Sequence, residues 1–237
     1  MIHHPISSTK MPASHPILKV KYSALIVLLL SAGTLLSQDK WKNVYKESAW
    51  GDRDRWQKPN ELIRYMQLDS GGQVADVGCH EGYMTFKLAS AVGPKGKVYA
   101  VDVKQEKLDL LTKHATERMV ENVVAVKGEY DDPKLPAHSL DAVIIMDAYH
   151  EMVNHDKILV HILTSLKPGG RLILCEPLAA ERKNASRKDQ QKEHELGMDY
   201  AIDDLKKAGF IIVMQKDPFI DRTEKGDLMW LIVAGKM

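Results

Sequence analysis

The chain has 237 residues, of which 44% are hydrophobic and 27% are charged. This length and apolar content suffice for one well-buried domain. The formal net charge of +1 argues against nucleic acid as the main partner, because a basic excess is what attracts a polyanion.

The first 38 residues differ in composition from the rest. Lysines without any acid precede the apolar stretch "SALIVLLLSAGTLLSQ". A basic start, a short apolar middle and small residues at the end are the layout of a secretory signal. The stretch is shorter and more interrupted than the about 20 apolar residues of a membrane span. We therefore predict a signal over residues 1–38 and an exported, periplasmic protein with no stable membrane span afterwards. The alternatives are a membrane anchor formed by residues 22–37 and a buried N-terminal helix.

From residue 60 onwards, segments with helical periodicity alternate with short apolar segments. Helical periodicity indicates helices at residues 60–68, 83–92, 105–115, 156–166 and 198–209. Short apolar stretches indicate strands at residues 73–78, 96–103, 122–128, 140–147, 171–177, 210–215 and 228–235. The charged residues 181–195 are expected to form a solvated helix or loop.

The alternation of strands and helices predicts the fold class. Apolar strands that alternate with amphipathic helices require a mainly parallel sheet covered on both faces. Right-handed crossovers make this a doubly wound α/β sheet, with its ligand site beyond the carboxyl ends of the strands. The last two strands are joined without a helix, so they should form an antiparallel hairpin. We predict seven strands, parallel except for the last.

The chain contains two cysteines, Cys79 and Cys175. Two cysteines argue against a disulfide scaffold and against a zinc site made of cysteines. Both lie at the ends of predicted strands, and another strand is expected between these two. Strand spacing then puts the two Cα atoms about 9 to 10 Å apart, which is beyond the reach of a disulfide. We expect two small, semi-buried residues that are not metal ligands.

A glycine turn follows the first predicted strand, in the stretch "VADVGCHEGYMTFKLA". A dinucleotide-binding turn has glycine at its first, third and sixth positions, so that the pyrophosphate can approach the backbone. Counted from Gly78, the third position is His80 and the sixth is Tyr83. These two departures disfavour a nicotinamide-dependent oxidoreductase.

The same turn resembles motif I of the class I S-adenosylmethionine-dependent methyltransferases. In that family an acid-x-Gly-x-Gly-x-Gly turn wraps the amino acid end of the cofactor, and Asp76, Gly78 and Gly82 match it. The resemblance implies S-adenosylmethionine as the cofactor, which has no phosphate and tolerates the loss of one glycine. His80 either lines the methionine pocket or is a surface residue. If its imidazole fills the pocket, the protein is a relative that no longer methylates.

Further segments resemble the family in the same order. "VYAVDV" resembles the second strand, which implies that Asp102, followed by Val103, accepts hydrogen bonds from the ribose hydroxyls. "VKGEYDDPKLP" resembles the segment that meets the adenine, which implies that Glu129 and the Tyr130 backbone lie beside that ring. "LDAVIIMDAYHEM" and "LKPGGRLILCEP" resemble the fourth strand with its exit and the turn into the fifth. Asp147, at that exit, is expected to contact the cofactor.

The residues after Asp147 are the candidates for catalysis. Methyl transfer needs an acceptor aligned with the methyl group and, where necessary, a base. His150 is the first candidate because its unperturbed pKa is about 6.5. Glu151 is the second candidate, and Tyr149 is expected to be a wall or a polar contact. The alternative, that His150 and Glu151 only decorate the next helix, stays open.

The resemblance covers roughly residues 53–237, within a predicted domain of residues 39–237. Its variable regions are short, which favours a small-molecule acceptor. The Asn/Asp-Pro-Pro-Tyr signature of many amino-methylating enzymes is absent after the fourth strand, which leaves carbon or oxygen as the methylated atom. A catalytically silent binding module in the cell envelope is the alternative, because S-adenosylmethionine is made in the cytoplasm. Residues that could close over the cofactor from the N-terminal side, or simply pack there, are Arg53, Arg55, Trp56 and Lys58. His194 and Tyr200 belong either to a substrate lid or to a solvated surface.

Overall fold

The computed structural model describes residues 43–222 and 227–237, together with Met1. Residues 43–237 form one compact unit. The predicted signal and its end near residue 38 lie outside the described residues, apart from Met1. Among the residues that are described, no helix is both long enough and apolar enough to cross a membrane.

Every predicted strand and helix is present, and one helix precedes them. The strands are β1 Gln73–Val77, β2 Lys97–Asp102, β3 Val123–Lys127, β4 Leu140–Met146, β5 Leu166–Pro177, β6 Ile211–Arg222 and β7 Asp227–Gly235. The helices are α1 Trp50–Trp56, α2 Pro59–Met66, α3 Tyr83–Val92, α4 Gln105–Glu117, α5 His155–Ser165, α6 Arg187–Lys192 and α7 Met198–Ala208.

The seven strands form one sheet in the order β3-β2-β1-β4-β5-β7-β6. The pairs among β1 to β5 are parallel. Strand β7 lies between β5 and β6 and is antiparallel to both. The predicted doubly wound sheet with an antiparallel last strand is confirmed. The order reverses between β1 and β4, so the carboxyl ends of these strands flank the expected ligand site.

Strand β4 is buried on both faces because helices cover both sides of the sheet. Its alternate side chains point to opposite faces. Val143 and Ile145 join one core cluster, with apolar residues of α5 and α7. Ile144 and Met146 join the other, with residues of α2 and α3. A central strand with two buried faces reads as a continuous apolar run, which is why this strand was the most apolar in the sequence.

Two local predictions need correction. Helix α2 begins at Pro59 instead of Asn60, since Lys58 is left-handed and proline is favoured in the first helical turn. The charged residues 181–195 are only partly solvated. Gln190 and Glu195 are buried there, because hydrogen bonds to other residues satisfy their polar atoms.

The two cysteines are unpaired and more deeply buried than the semi-buried positions expected from sequence. Cys79 follows β1 and Cys175 lies in β5, with β4 between these strands in the sheet. Both thiols are buried and free, and burial raises the pKa of each well above its ordinary value. They are therefore packing residues of the core.

Candidate active site

The glycine turn between β1 and α3 is held against the end of β2. The amide of Gly78 donates to the carbonyl of Val101 over 2.9 Å. Gly78 and Gly82 have φ angles of +83° and +99°, a region that favours glycine. A Cβ atom at Gly78 would lie 2.6 Å from the Cβ of Ala148. Close contact between the ends of β1 and β4 therefore requires a glycine at this position.

The carboxylate of Asp102 faces this turn from the tip of β2. Its Oδ2 accepts the backbone N–H of His80 over 3.0 Å, and its Oδ1 accepts that of Lys104 over 2.9 Å. Each carboxylate oxygen has a second lone pair, so both can still accept a hydroxyl group. The structure thus brings together the predicted residues of the turn and Asp102.

The predicted adenine segment lies beside this carboxylate. The amide of Gly128 donates to the backbone carbonyl of Asp102 over 3.1 Å, which brings the end of β3 next to the end of β2. Val103 is half-buried, whereas Glu129 and Tyr130 are exposed. These three residues line the same edge of the sheet, and their contacts with a cofactor stay predictions.

Asp76 supports the turn from below. Its buried carboxylate accepts the hydroxyl hydrogen of Thr85 on α3 over 2.6 Å. Burial raises the pKa of Asp76 to about 6, although the Thr85 hydrogen bond and the charge of Arg53 oppose this effect. Asp76 therefore links β1 to α3, and in this structure its hydrogen bond is to the protein's own helix.

His80 replaces a glycine of the family motif and has φ of +49°. Its Nδ1 atom is buried and has no hydrogen-bond partner among the described residues. Burial, together with the charge of Lys107, lowers the pKa of His80 to about 4. The ring is therefore neutral at pH 7 and presents an unsatisfied polar atom within the predicted cofactor turn.

An N-terminal residue, Tyr45, reaches across the ends of β1 and β4. Its ring lies 5.7 Å from the ring of His80, and its hydroxyl donates to Oδ2 of Asp147 over 2.5 Å. Arg222 donates to the same oxygen over 2.9 Å. Burial opposes ionisation of Asp147, but the charge of Arg222 holds its pKa below the ordinary value. Burial and Asp147 raise the pKa of Tyr45, so its hydroxyl stays a donor.

The four N-terminal residues named from the sequence lie in different surroundings. The guanidinium of Arg53 lies 3.9 Å from the ring centroid of Tyr83 and 5.3 Å from that of Tyr45, so Arg53 is beside the site. Lys58 donates to the carbonyl of Phe219. Arg55 is exposed and pairs with Asp52 on its own helix, and the ring of Trp56 lies 5.6 Å from the guanidinium of Arg222.

His150 is bound to a buried carboxylate on the neighbouring strand. Its Nδ1 lies 2.5 Å from Oε2 of Glu176. Burial lowers the pKa of His150, but the charge and hydrogen bond of Glu176, with Asp147 and Glu151, raise it to about 9. This pKa therefore lies above the unperturbed value of about 6.5 that makes His150 the first candidate from sequence. At neutral pH the imidazole is therefore protonated on both nitrogens, and it must lose one proton before it can act as a base. Its catalytic role stays a prediction.

Of the two residues beside His150, Tyr149 points away from it and Glu151 remains close to it. Tyr149 is fully buried, and its hydroxyl donates to Asp204 over 3.0 Å under α5 and α7. The structure thus places Tyr149 in the core, because the short helical turn of residues 149–151 directs neighbouring side chains to different sides. Glu151 stays with His150 and lies 3.4 Å from His194. Tyr200 is half-buried and packs near Arg187.

Sequence reasoning missed three site residues: Tyr45, Glu176 and Arg222. Glu176 had a signal, because an acid at the carboxyl end of β5 lies beside the exit of β4 in a parallel sheet. Arg222 ends a strand that extends further than its apolar pattern. Tyr45 precedes every recognised motif and had no local signal.

Fold and site together define a Rossmann-like domain with a glycine turn at the switch point. The sequence pattern of the family described as "Methyltransferase domain" matches residues 68–232. The chain therefore belongs to this family, and its sheet is that of the class I S-adenosylmethionine-dependent methyltransferases.

Similar proteins include enzymes with different acceptors. The chain is 27% identical to a demethylmenaquinone methyltransferase of Geobacillus sp. (strain WCH70), over 52% of this chain and 51% of that one. It is 30% identical to the aklanonic acid methyltransferase of Streptomyces sp. (strain C5), over 49% and 53%. The chain thus spans about half the length of these relatives. A SAM dependent methyltransferase from Aquifex aeolicus has a similar fold, with a TM-score of 0.68, 22% identity and coverage of 84% and 98%.

Proposed function

We propose that this protein transfers the methyl group of S-adenosylmethionine to a small-molecule acceptor, at carbon or oxygen. The observation that carries the proposal is the position of Asp102 beside the glycine turn, in a chain of the methyltransferase domain family. The sulfonium of the cofactor supplies an activated methyl group. The protein therefore has to bind and orient the two substrates and exclude water, and it has little need to activate the methyl donor.

The residues present fit this cofactor. The unpartnered Nδ1 of His80 is a polar atom that the amino acid end of the cofactor would satisfy, since buried polar atoms normally have partners. Asp102 keeps lone pairs for the ribose hydroxyls. Glu129 and Tyr130, at the end of β3, would lie beside the adenine. Asp147, at the end of β4, would face the methionine part.

The two named relatives are small-molecule methyltransferases, and this supports a small acceptor here. The acceptor would bind where His150 and Glu151 leave β4. Because His150 is protonated at neutral pH, an acceptor that needs deprotonation would have to give its proton to another group or bind already as an anion. Glu151 offers an exposed carboxylate there, with its Oε1 3.8 Å from Nε2 of His150.

A second candidate is a catalytically silent binding module of the cell envelope. Two side chains favour it. His80 lies where the family has glycine, and the hydroxyl of Tyr45 donates a hydrogen bond to the carboxylate of Asp147. Both lie where the methionine part of the cofactor is expected. Binding of S-adenosylhomocysteine without any turnover of S-adenosylmethionine would support this candidate over the enzyme.

Calorimetry with S-adenosylhomocysteine tests the proposal. We expect one binding site per chain, and a ligand at 100 times its Kd should stabilise the protein by about 2.7 kcal/mol. The variant Asp102→Ala should bind S-adenosylhomocysteine at least about tenfold more weakly, because a tenfold loss corresponds to the free energy of one charge-assisted hydrogen bond. The control Asp109→Ala, on the outer face of α4, should bind like the wild type. Failure of both S-adenosylmethionine and its product to bind would contradict the proposal.

We also propose that residues 1–38 direct the chain out of the cytoplasm. Support comes from the composition of this segment alone. Fractionation of cells that carry a C-terminally tagged chain, with N-terminal sequencing of the product, tests it. A periplasmic product that begins near residue 38 is expected. A full-length chain in the membrane fraction would support the anchor instead, and a full-length chain in the cytoplasm would contradict export.

A further inference from the structure

A cluster of potential metal ligands lies where the exit of β4 meets the segment before α7. The cluster consists of His150, Glu151 and His194. Oε1 of Glu151 lies 3.8 Å from Nε2 of His150 and 3.4 Å from Nδ1 of His194. All three ligand atoms lie within 4.8 Å of one another. Two imidazoles and one carboxylate are a donor set that divalent transition metals take in proteins.

The spacing is close to that of a bound ion. Zinc binds histidine nitrogen and carboxylate oxygen at about 2.0 to 2.2 Å, so ligand atoms around one ion stand about 3 to 3.5 Å apart. Side-chain rotation can supply the remaining contraction, because Glu151 and His194 are 60% and 72% exposed. His150 is the fixed member, since its side chain is only 3% exposed.

Glu176 orients the fixed ligand. A carboxylate oxygen accepts hydrogen bonds, so the 2.5 Å contact assigns a proton to Nδ1 of His150 and leaves Nε2 facing Glu151. A metal ion would displace the proton that Nε2 carries at neutral pH. The carboxylate of Glu176 is itself held by the backbone amides of Ala148 and Tyr149, over 2.7 and 2.8 Å. A carboxylate behind a metal-binding histidine is a common supporting arrangement in metal sites.

The segment that carries His194 is tied to the segment that carries His150. The side-chain amide of Gln191 donates to the backbone carbonyl of His150 over 3.0 Å. On the other side of His194, the buried carboxylate of Glu195 accepts two hydrogen bonds from Arg182, over 2.7 and 2.5 Å. The two histidines are therefore kept as neighbours by contacts that do not involve an ion.

We propose that His150, Glu151 and His194 bind one divalent transition-metal ion such as Zn²⁺, with Glu176 as the positioning residue. This proposal differs from the expectation from sequence, which named no metal ligands. Three protein ligands leave a coordination position open. An oxygen atom of the methyl acceptor would take that position; this last step rests on the proposed function, whereas the metal site does not.

Titration of the metal-free full chain with Co²⁺, followed by its visible absorption, and competition with Zn²⁺ test the site. We expect one Co²⁺ per chain at the cluster, displaced by Zn²⁺. The variants Glu151→Gln and His194→Asn should each weaken binding at least about tenfold, as the loss of a direct ligand exceeds that of a supporting residue. Both side chains are exposed, so we expect both variants to fold.

Matched controls are Glu181→Gln and His161→Asn, which change an exposed carboxylate and an exposed imidazole elsewhere. These should bind Co²⁺ like the wild type. Absence of Co²⁺ binding by the wild type would overturn the proposal, as would binding that both cluster variants retain, for example at His3 and His4. The titration contains no S-adenosylmethionine, so its failure and the failure of the proposed function are distinguishable.

Discussion

The glycine turn after β1 and the cluster at the exit of β4 are adjacent but are built differently. The turn consists of backbone contacts among the ends of β1, β2 and β4, and its shape depends on glycine. The cluster consists of side chains from the short helical turn after β4 and from the segment before α7, held by the buried carboxylate of Glu176 in β5. A binding turn can thus be local in sequence, whereas a reactive cluster depends on the topology that gathers it. Tyr45 contacts His80 in the turn and Asp147, which follows β4 and precedes the cluster.

The largest expected effect is on the turn. Gly78→Ala should destabilise the protein by about 3 kcal/mol, through left-handed strain of about 1–2 kcal/mol and crowding against Ala148 of similar size. Gly169→Ala is the matched control, since Gly169 has φ of +77° but open space around a Cβ. It should show the strain alone. Chemical denaturation measures both, and equal losses would show that the close approach of β1 and β4 is not tight.

The next effect depends on pH and involves Asp76. Its pKa is raised from its ordinary value to about 6 in the folded protein, so the folded state holds this proton more tightly than the unfolded chain. Stability from this group is full below about pH 4 and is lost as the pH rises through 6. Relative to the wild type, Asp76→Asn should therefore gain up to about 3 kcal/mol between pH 4 and pH 7. A difference in unfolding free energy that does not change with pH would contradict the buried, protonated carboxyl.

The third effect is expected from removal of the Tyr45 hydroxyl, which donates a hydrogen bond to Asp147. Tyr45→Phe loses a hydrogen bond to a charged group and should cost about 1.5 kcal/mol. It should also bind S-adenosylhomocysteine several-fold more tightly, because the ligand no longer competes with the Tyr45 contact to Asp147. Tyr130→Phe, on a ring that is 72% exposed, is the control for stability. Weaker binding by Tyr45→Phe would show instead that Tyr45 belongs to the bound state.

The smallest effect is expected outside both regions. Arg55 and Asp52 form an exposed ion pair within one helix, and such pairs contribute little because water screens them. Arg55→Ala should change the unfolding free energy by less than about 0.5 kcal/mol and leave ligand binding unchanged. A larger loss would mean that the N-terminal helix supports the site through more than Arg53.

Sequence predicted most of the fold because the relevant signals are local. The apolar run of β4 shows two buried faces, the glycines show a turn that no other residue fits, and Asp102 follows its strand directly. Glu176 and Arg222 could not be assigned in this way, since their partners come from other strands. The pKa of His150 depends on Asp147, Glu151 and Glu176 together, and only the folded arrangement brings these charges around one imidazole.

The structure of the complex with S-adenosylhomocysteine tests the central claim most directly. We predict that both ribose hydroxyls bind the carboxylate of Asp102, that the amino acid end lies on the turn of residues 78–82 and contacts His80, and that Tyr45 has left Asp147. A ligand bound elsewhere would contradict this claim. A hydrogen bond from Tyr45 to Asp147 that persists at saturating ligand would also contradict it.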